Sequence, residues 1–149
     1  VKKAAIGKDV ERDRVLSTAE IIEFFQKLPN AGLAETSQFA LLIQFATITR
    51  IGEVLGAKWA HVDLVHGQWI LPETKNGERL EVILSDFVID QLTRLKEITG
   101  ATAWLFPAAQ VKKDQPDFVD HVCEKTVTKQ CGSSRTARRW IRLKRTWLS

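Results

Sequence analysis

Apolar residues in the first third of the chain recur at helical spacing. Ser17-Thr18-Ala19-Glu20 has the S-x-x-E form of a capping box, and Ile21, Phe24, Phe25 and Leu28 follow it on one helical face. Pro29-Asn30-Ala31-Gly32 stops that helix. A second helix is expected over 35–47, with Phe39, Leu42, Ile43 and Ala46 on one face. Leu41 and Phe45 fall elsewhere on the wheel, so this helix should be buried nearly all round. A short third helix is expected over 50–57, after Thr49.

The period then changes from helical to alternating. Trp69 and Leu71 alternate with Gln68 and Ile70, and Leu80, Val82 and Leu84 alternate with Glu81 and Ile83. Between them lies Pro72-Glu73-Thr74-Lys75-Asn76-Gly77-Glu78, whose Asn-Gly step is a strong hairpin signal. An earlier strand over 61–65, turning at His66-Gly67, would complete a three-stranded antiparallel sheet. Ser85 is expected to cap a fourth helix that carries Val88, Leu92, Leu95 and Ile98 and ends at Gly100. Trp104-Leu105-Phe106-Pro107 reads as a buried apolar plug, 112–118 as a polar loop, and 120–130 as a helix broken by Gly132-Ser133-Ser134. Trp59, Trp69 and Trp104 are expected in the core. The fold class is α+β, mainly α, with one small sheet inserted after the third helix.

Length and composition bound the function without naming it. A chain of 149 residues reads as one domain with enough length for a core. Its 44% hydrophobic and 27% charged content is ordinary for a soluble protein. No apolar run reaches the roughly 18 residues of a membrane helix. The start, VKKAAIGKDVERDR, lacks the apolar core of a secretory signal. Met is absent even at position 1, so the chain is read as a piece of something longer. Cys123 and Cys131 lie eight apart without the further ligands a zinc site wants, and read as free thiols, with no metal site expected.

Charge changes the picture more. The net charge of +4 hints at nucleic acid, but its distribution is uneven. After Glu124 there are eight Lys/Arg and no acid, so the first 124 residues hold 14 basic and 18 acidic groups. All of the excess positive charge sits in the tail.

Two cations stand out. Arg50 ends the greasy run FALLIQFAT-IT and opens the third helix, where a guanidinium and a helix N-terminus would together favour an anion. Glu53, three residues on, could hold Arg50 in one rotamer. On spacing alone, a structural Arg–Glu pair on a solvated face explains the same residues. Lys75 sits at the hairpin tip, where a solvated lysine is the bland alternative.

In order, "TRIGEVLGAKWAHVDL", a short strand, "ILPETKNGERLEVILS", an amphipathic helix and "WLFP" resemble the catalytic domain of tyrosine recombinases of the phage integrase family. The resemblance covers roughly residues 12–130 and is nearest to integrases of temperate phages and genomic islands. It implies a phosphoryl transfer without metal or cofactor, in which a tyrosine hydroxyl attacks a DNA phosphate, forms a 3′-phosphotyrosyl link and releases a 5′-hydroxyl. Arg50 would be the first of two catalytic arginines, placing donors on the non-bridging oxygens of the transition state. Lys75 would protonate the departing 5′-oxygen. Glu53 is carried as a supporting residue, and Asn76, Arg139, Arg142 and Lys144 as further DNA contacts. The implied partner is double-stranded DNA, with the full-length protein acting as a tetramer and this piece as a monomer or weak oligomer. The implied location is the bacterial cytoplasm, at the nucleoid, with no membrane association.

The chain also departs from the family pattern. The family expects H-x-x-R, a further His or Trp, and the tyrosine nucleophile, all after residue 130. This chain has no tyrosine, and none of His61, His66 and His121 is followed by Arg three residues on. The stretch TARRWIRLKRTWLS looks like the family's LRRTW in two registers. One puts Lys144 at the second arginine position and Ile141 at the histidine; the other makes Arg139 and Arg142 an R-x-x-R pair. Both stay open. As a helix this tail would place Trp140, Leu143 and Trp147 on one side and Arg138, Arg142 and Arg145 on another. A shifted reading frame near Cys131 or a cut at a domain edge would each account for it.

The expected organisation is a lead-in over 1–16, a partial catalytic domain over 17–131 and an atypical basic tail over 132–149. Three readings follow: a recombinase fragment inactive alone, a non-catalytic DNA-binding module on the same fold, and a helical interaction domain without a nucleic-acid role. The first two require Arg50 and Lys75 on one concave basic face.

Overall fold

The computed structural model describes residues 15–74, 77–108 and 120–133. Helix α1, Thr18–Lys27, begins with the expected capping box: the Glu20 backbone N–H donates to Ser17 Oγ and the Ser17 N–H donates to Glu20 Oε2. Pro29 falls in a 3-10 turn, Leu28–Asn30, that finishes the helix, and Gly32 follows at φ 69°. Helix α2, Glu35–Thr47, carries buried side chains around most of its girth, Phe39, Ala40, Leu41 and Ile43 among them. Ala46, expected on its inner face, is exposed. Helix α3 is shorter than expected, Ile51–Leu55, with Arg50 at its N-cap and Gly56 at its C-cap. Such a helix is too short to persist alone. Ile51, Val54 and Leu55 are buried, and each contributes roughly 1.5–3 kcal/mol by leaving water, which is what holds it.

A 3-10 turn at Trp59–His61 leads into β1, Val62–Asp63, then β2, Gln68–Leu71, and β3, Leu80–Ile83. The sheet is antiparallel in the order β1-β2-β3, with Trp69 opposite Val82 and Leu71 opposite Leu80. Trp69 and Leu71 turn into the core as their alternation requires. Leu80 does not follow them: it lies at the outer end of an edge strand and is exposed.

Helix α4, Asp86–Thr99, packs against α2, and its Val88, Leu92 and Leu95 are buried in the core. Two expectations fail here. Ser85 sits at the N-cap with extended backbone, but its side chain makes no capping hydrogen bond. Ile98 is exposed, and Thr99 is buried in its place because its hydroxyl donates to the carbonyls of Leu95 and Leu105. Of the plug residues, Leu105 and Phe106 are buried, while Trp104 and Pro107 are half-buried, as is Trp59.

The plug also forms β-type pairing that spacing did not suggest. Trp104 bridges Lys58 on one side and Pro107 bridges His121 on the other. That second bridge delays the last helix, α5, to Glu124–Ser133 rather than 120–130. Helix α5 continues through Gly132, which was expected to break it. Val127 anchors it in the core, and Ser37 Oγ of α2 donates to Gln130 Oε1 at 2.8 Å. The architecture is α+β, with helices around one core and a three-stranded antiparallel sheet at its side. Among the described residues, no helix is long and apolar enough to cross a membrane.

Candidate functional site

The site is built by the turn between α2 and α3. Helix α2 ends on Ile48, held in the left-handed region at φ 57°, ψ 20°, with its N–H donating to Gln44 O at 2.9 Å. A β-branched residue there costs roughly 1–3 kcal/mol. Thr47 Oγ1 donates to Ile43 O, and the hydroxyls of Thr47 and Thr49 lie 2.8 Å apart. Thr49 is buried, so the turn is fixed between Ile48 and Arg50.

Arg50 then takes extended backbone, φ −69° and ψ 145°, and opens α3. Glu53 closes on it twice. Its Oε2 accepts from the Arg50 backbone N–H at 2.9 Å, and its Oε1 accepts from Arg50 Nη1 at 3.1 Å. A guanidinium has no acceptor, so Arg50 cannot return the bond as a serine would, and only half of a capping box forms. The two side chains are unequally exposed: Glu53 keeps 12% of its accessible surface and Arg50 keeps 54%. The carboxylate is anchored and the guanidinium faces outward. An exposed ion pair of this kind adds little stability, about 0.2–1 kcal/mol. Its effect is to restrict where the planar fork points, and a fork presents several further donors to a bidentate anion.

A second wall comes from the far end of the chain. A Cβ placed at Gly52 would collide with Glu124 Oε1, so the first turn of α5 lies directly on the first turn of α3. A Cβ at Gly56 would lie 3.8 Å from His121 Nε2. His121 stacks on Trp104 with ring centroids 4.9 Å apart, its Nδ1 lies 2.9 Å from Asp120 Oδ1, and Lys58 Nζ lies 4.7 Å over the same indole. Sequence reading missed Glu124 and His121 as neighbours of this helix. Their contacts span tens of residues and leave no local periodic signal.

The hairpin between β2 and β3 closes as expected. Thr74 N–H donates to Glu78 O at 2.9 Å, Gly77 N–H donates to Thr74 O at 2.8 Å, and Gly77 takes φ 78°. That positive φ is the reason a glycine ends the turn. Lys75 and Asn76 lie outside the described residues, as do Arg139, Arg142 and Lys144 of the tail. Of the residues singled out from sequence, the structure therefore describes Arg50 and Glu53 and brings those two together. Among the described residues no group of three or more His, Cys, Asp or Glu gathers as a metal cluster, and Cys123 is an exposed free thiol.

The model of the phage integrase family matches residues 14–140 of this sequence. The chain belongs to the phage integrase family. The matched span includes Arg50, Glu53 and the whole hairpin. Among curated proteins, a shufflon-specific DNA recombinase of Escherichia coli is 39% identical over 74 residues, which is 50% of this chain and 19% of that protein. The prophage integrase IntA of Escherichia coli strain K12 is 25% identical over 123 residues, 78% of this chain and 30% of that protein. The chain thus spans under a third of the length of either of these relatives. Within this integrase-family chain, the turn at Arg50 is the described place where an exposed cation is held by a nearly buried carboxylate.

Proposed function

We propose that this chain is part of the catalytic domain of a site-specific DNA recombinase. The observation that carries the reading is the Arg50–Glu53 pair: an outward guanidinium steered by an anchored carboxylate, in a member of the phage integrase family. Arg50 would grip the non-bridging oxygens of the scissile phosphate, where negative charge concentrates in the transition state. A tyrosine hydroxyl attacks phosphorus, the bond to the 5′-oxygen breaks, and a 3′-phosphotyrosyl link forms. Lys75 would give the departing 5′-oxygen its proton. Attack by a 5′-hydroxyl of a second strand reverses the step and releases the tyrosine.

The chain as given contains no tyrosine, so it does not carry this nucleophile itself. Strand cleavage is expected only from a protein that includes a tyrosine-bearing segment, and residues 17–131 are the partial catalytic domain, preceded by a lead-in over 1–16. The basic tail, 132–149, with Arg139, Arg142 and Lys144, would add DNA contacts, as would Asn76 at the hairpin tip. The partner is duplex DNA inside a bacterial cell, at the nucleoid, and the complete recombinase would act as a tetramer. The alternative on the same fold is a non-catalytic DNA-binding module that uses the same Arg50 face.

The test is to express the tyrosine-containing protein encoded at the source locus and look for a covalent protein–DNA adduct. The proposal expects an adduct that is lost in Arg50→Ala and Lys75→Ala. An adduct that survives Arg50→Ala overturns the assignment of Arg50. Duplex binding without any adduct supports the module reading instead.

A further inference from the structure

The turn that presents Arg50 contains a residue whose conformation and exposure are both unfavourable. Ile48 is the one non-glycine residue with positive φ among the described residues. Glycine would occupy φ 57° without strain, and asparagine nearly so. The isoleucine side chain gains nothing from the protein core in return, because it is 78% exposed. Lone exposed apolar residues are common and ask for no account. A strained one, two residues from the candidate site's cation, does. Its backbone N–H is satisfied by Gln44 O, which any residue could do, so the hydrogen bond does not explain the side chain.

We propose that Ile48 is a DNA-contacting residue that packs its side chain on the sugar and base edges beside the phosphate held by Arg50. This rests on the reading of Arg50 above. Ile48 and Arg50 are both exposed and flank the buried Thr49, so the two side chains leave the protein from one rigid turn. A duplex gripped by Arg50 would come within reach of Ile48, two residues away on the same turn. A duplex offers apolar surface next to each phosphate, in the deoxyribose C–H groups and the thymine methyls of the groove. Burying the isoleucine there returns free energy only in the complex, and the strain is carried in the free protein.

The proposal makes folding and binding move in opposite directions at one position. Ile48→Gly and Ile48→Asn each relieve the left-handed strain and each remove the apolar contact. Both variants and the parent chain are melted, then titrated with a short mixed-sequence duplex at several salt concentrations, with Arg50→Ala alongside. The expected result is a raised Tm for Ile48→Gly and affinity lowered roughly tenfold in both variants. The slope of log K against log salt should stay unchanged, because no charge is lost. Arg50→Ala should instead lower that slope by about one.

Unchanged affinity in the Ile48 variants, with Arg50→Ala still weakened, overturns the contact and leaves the Arg50 reading standing. Weaker binding in the Ile48 variants with Arg50→Ala unaffected keeps the contact and removes Arg50 from it. A lowered Tm in both Ile48 variants assigns the side chain to folding and also overturns the proposal.

Discussion

Two turns of this molecule carry the same kind of pair, a carboxylate and a cation-capable side chain three residues apart, and they use it differently. At the end of β1, Asp63 accepts from the backbone N–H groups of Val65 and His66 through Oδ1, and its Oδ2 lies 2.7 Å from His66 Nδ1. The carboxylate there completes the turn into Gly67, and its pKa is held below the ordinary 3.8, chiefly by the hydrogen bond from the His66 backbone. At the start of α3, Glu53 accepts one backbone N–H and one guanidinium N–H from Arg50. The carboxylate is nearly buried while most of the cation faces solvent. The first pair closes on itself. The second fixes an orientation and leaves donors to spend. Spacing alone cannot separate these uses; what separates them is that the fold nearly buries Glu53 and leaves Asp63 and His66 both exposed.

The largest effect expected from this contrast is on chemistry. In the tyrosine-containing protein, Arg50→Ala should lower the cleavage rate by about 10² to 10³, as loss of other charge-stabilising donors does. Its Tm should stay close to the parent value, since an exposed pair contributes about 0.2–1 kcal/mol. Glu53 should show a split response. Glu53→Ala removes the N-cap acceptor and should destabilise by about 1 kcal/mol. Glu53→Gln keeps an acceptor for the Arg50 N–H, so its Tm should sit near the parent's while duplex affinity falls by less than in Arg50→Ala. Equal losses of Tm in both variants would mean that the charge pair, not the cap, holds the turn.

The smallest effect lies at the other turn. The Asp63 pKa is lowered in the folded state, so its contribution is fully present above its ordinary value and is lost as pH falls through the lower, folded value. Asp63→Asn should therefore lower Tm slightly at neutral pH, and the gap from the parent should close under acid. Duplex affinity should not change. A loss of affinity in Asp63→Asn would break the distinction between the two turns.

The pairings that were legible in the sequence are those made within a few residues. The Ser17–Glu20 box, the Asn-Gly hairpin signal and the Arg50–Glu53 spacing each need only local chain, and the box and the Arg50–Glu53 contact both form. Alternation placed Trp69 and Leu71 inward because β2 is the middle strand of the sheet, with a partner on each side. On the edge strand β3 alternation did not decide burial: Leu80 is exposed. Helix ends were harder. The start of α5 depends on the pairing of Pro107 with His121, and the truncation of α3 depends on Ala57 and Lys58 pairing with the plug. The wall of Glu124 over Gly52 joins residues more than seventy apart. The left-handed turn at Ile48 is hidden for a different reason: isoleucine argues against the conformation it adopts.

The central claim is that Arg50 is presented to a phosphate rather than to the fold. The most direct measurement is duplex affinity by fluorescence anisotropy across a salt series, for the parent chain and for Arg50→Ala, with Tm recorded on the same samples. Arg50→Ala is expected to bind more weakly, with a salt slope smaller by about one and an unchanged Tm. The same affinity and slope in both proteins, or a large fall in Tm without a change in slope, would contradict it.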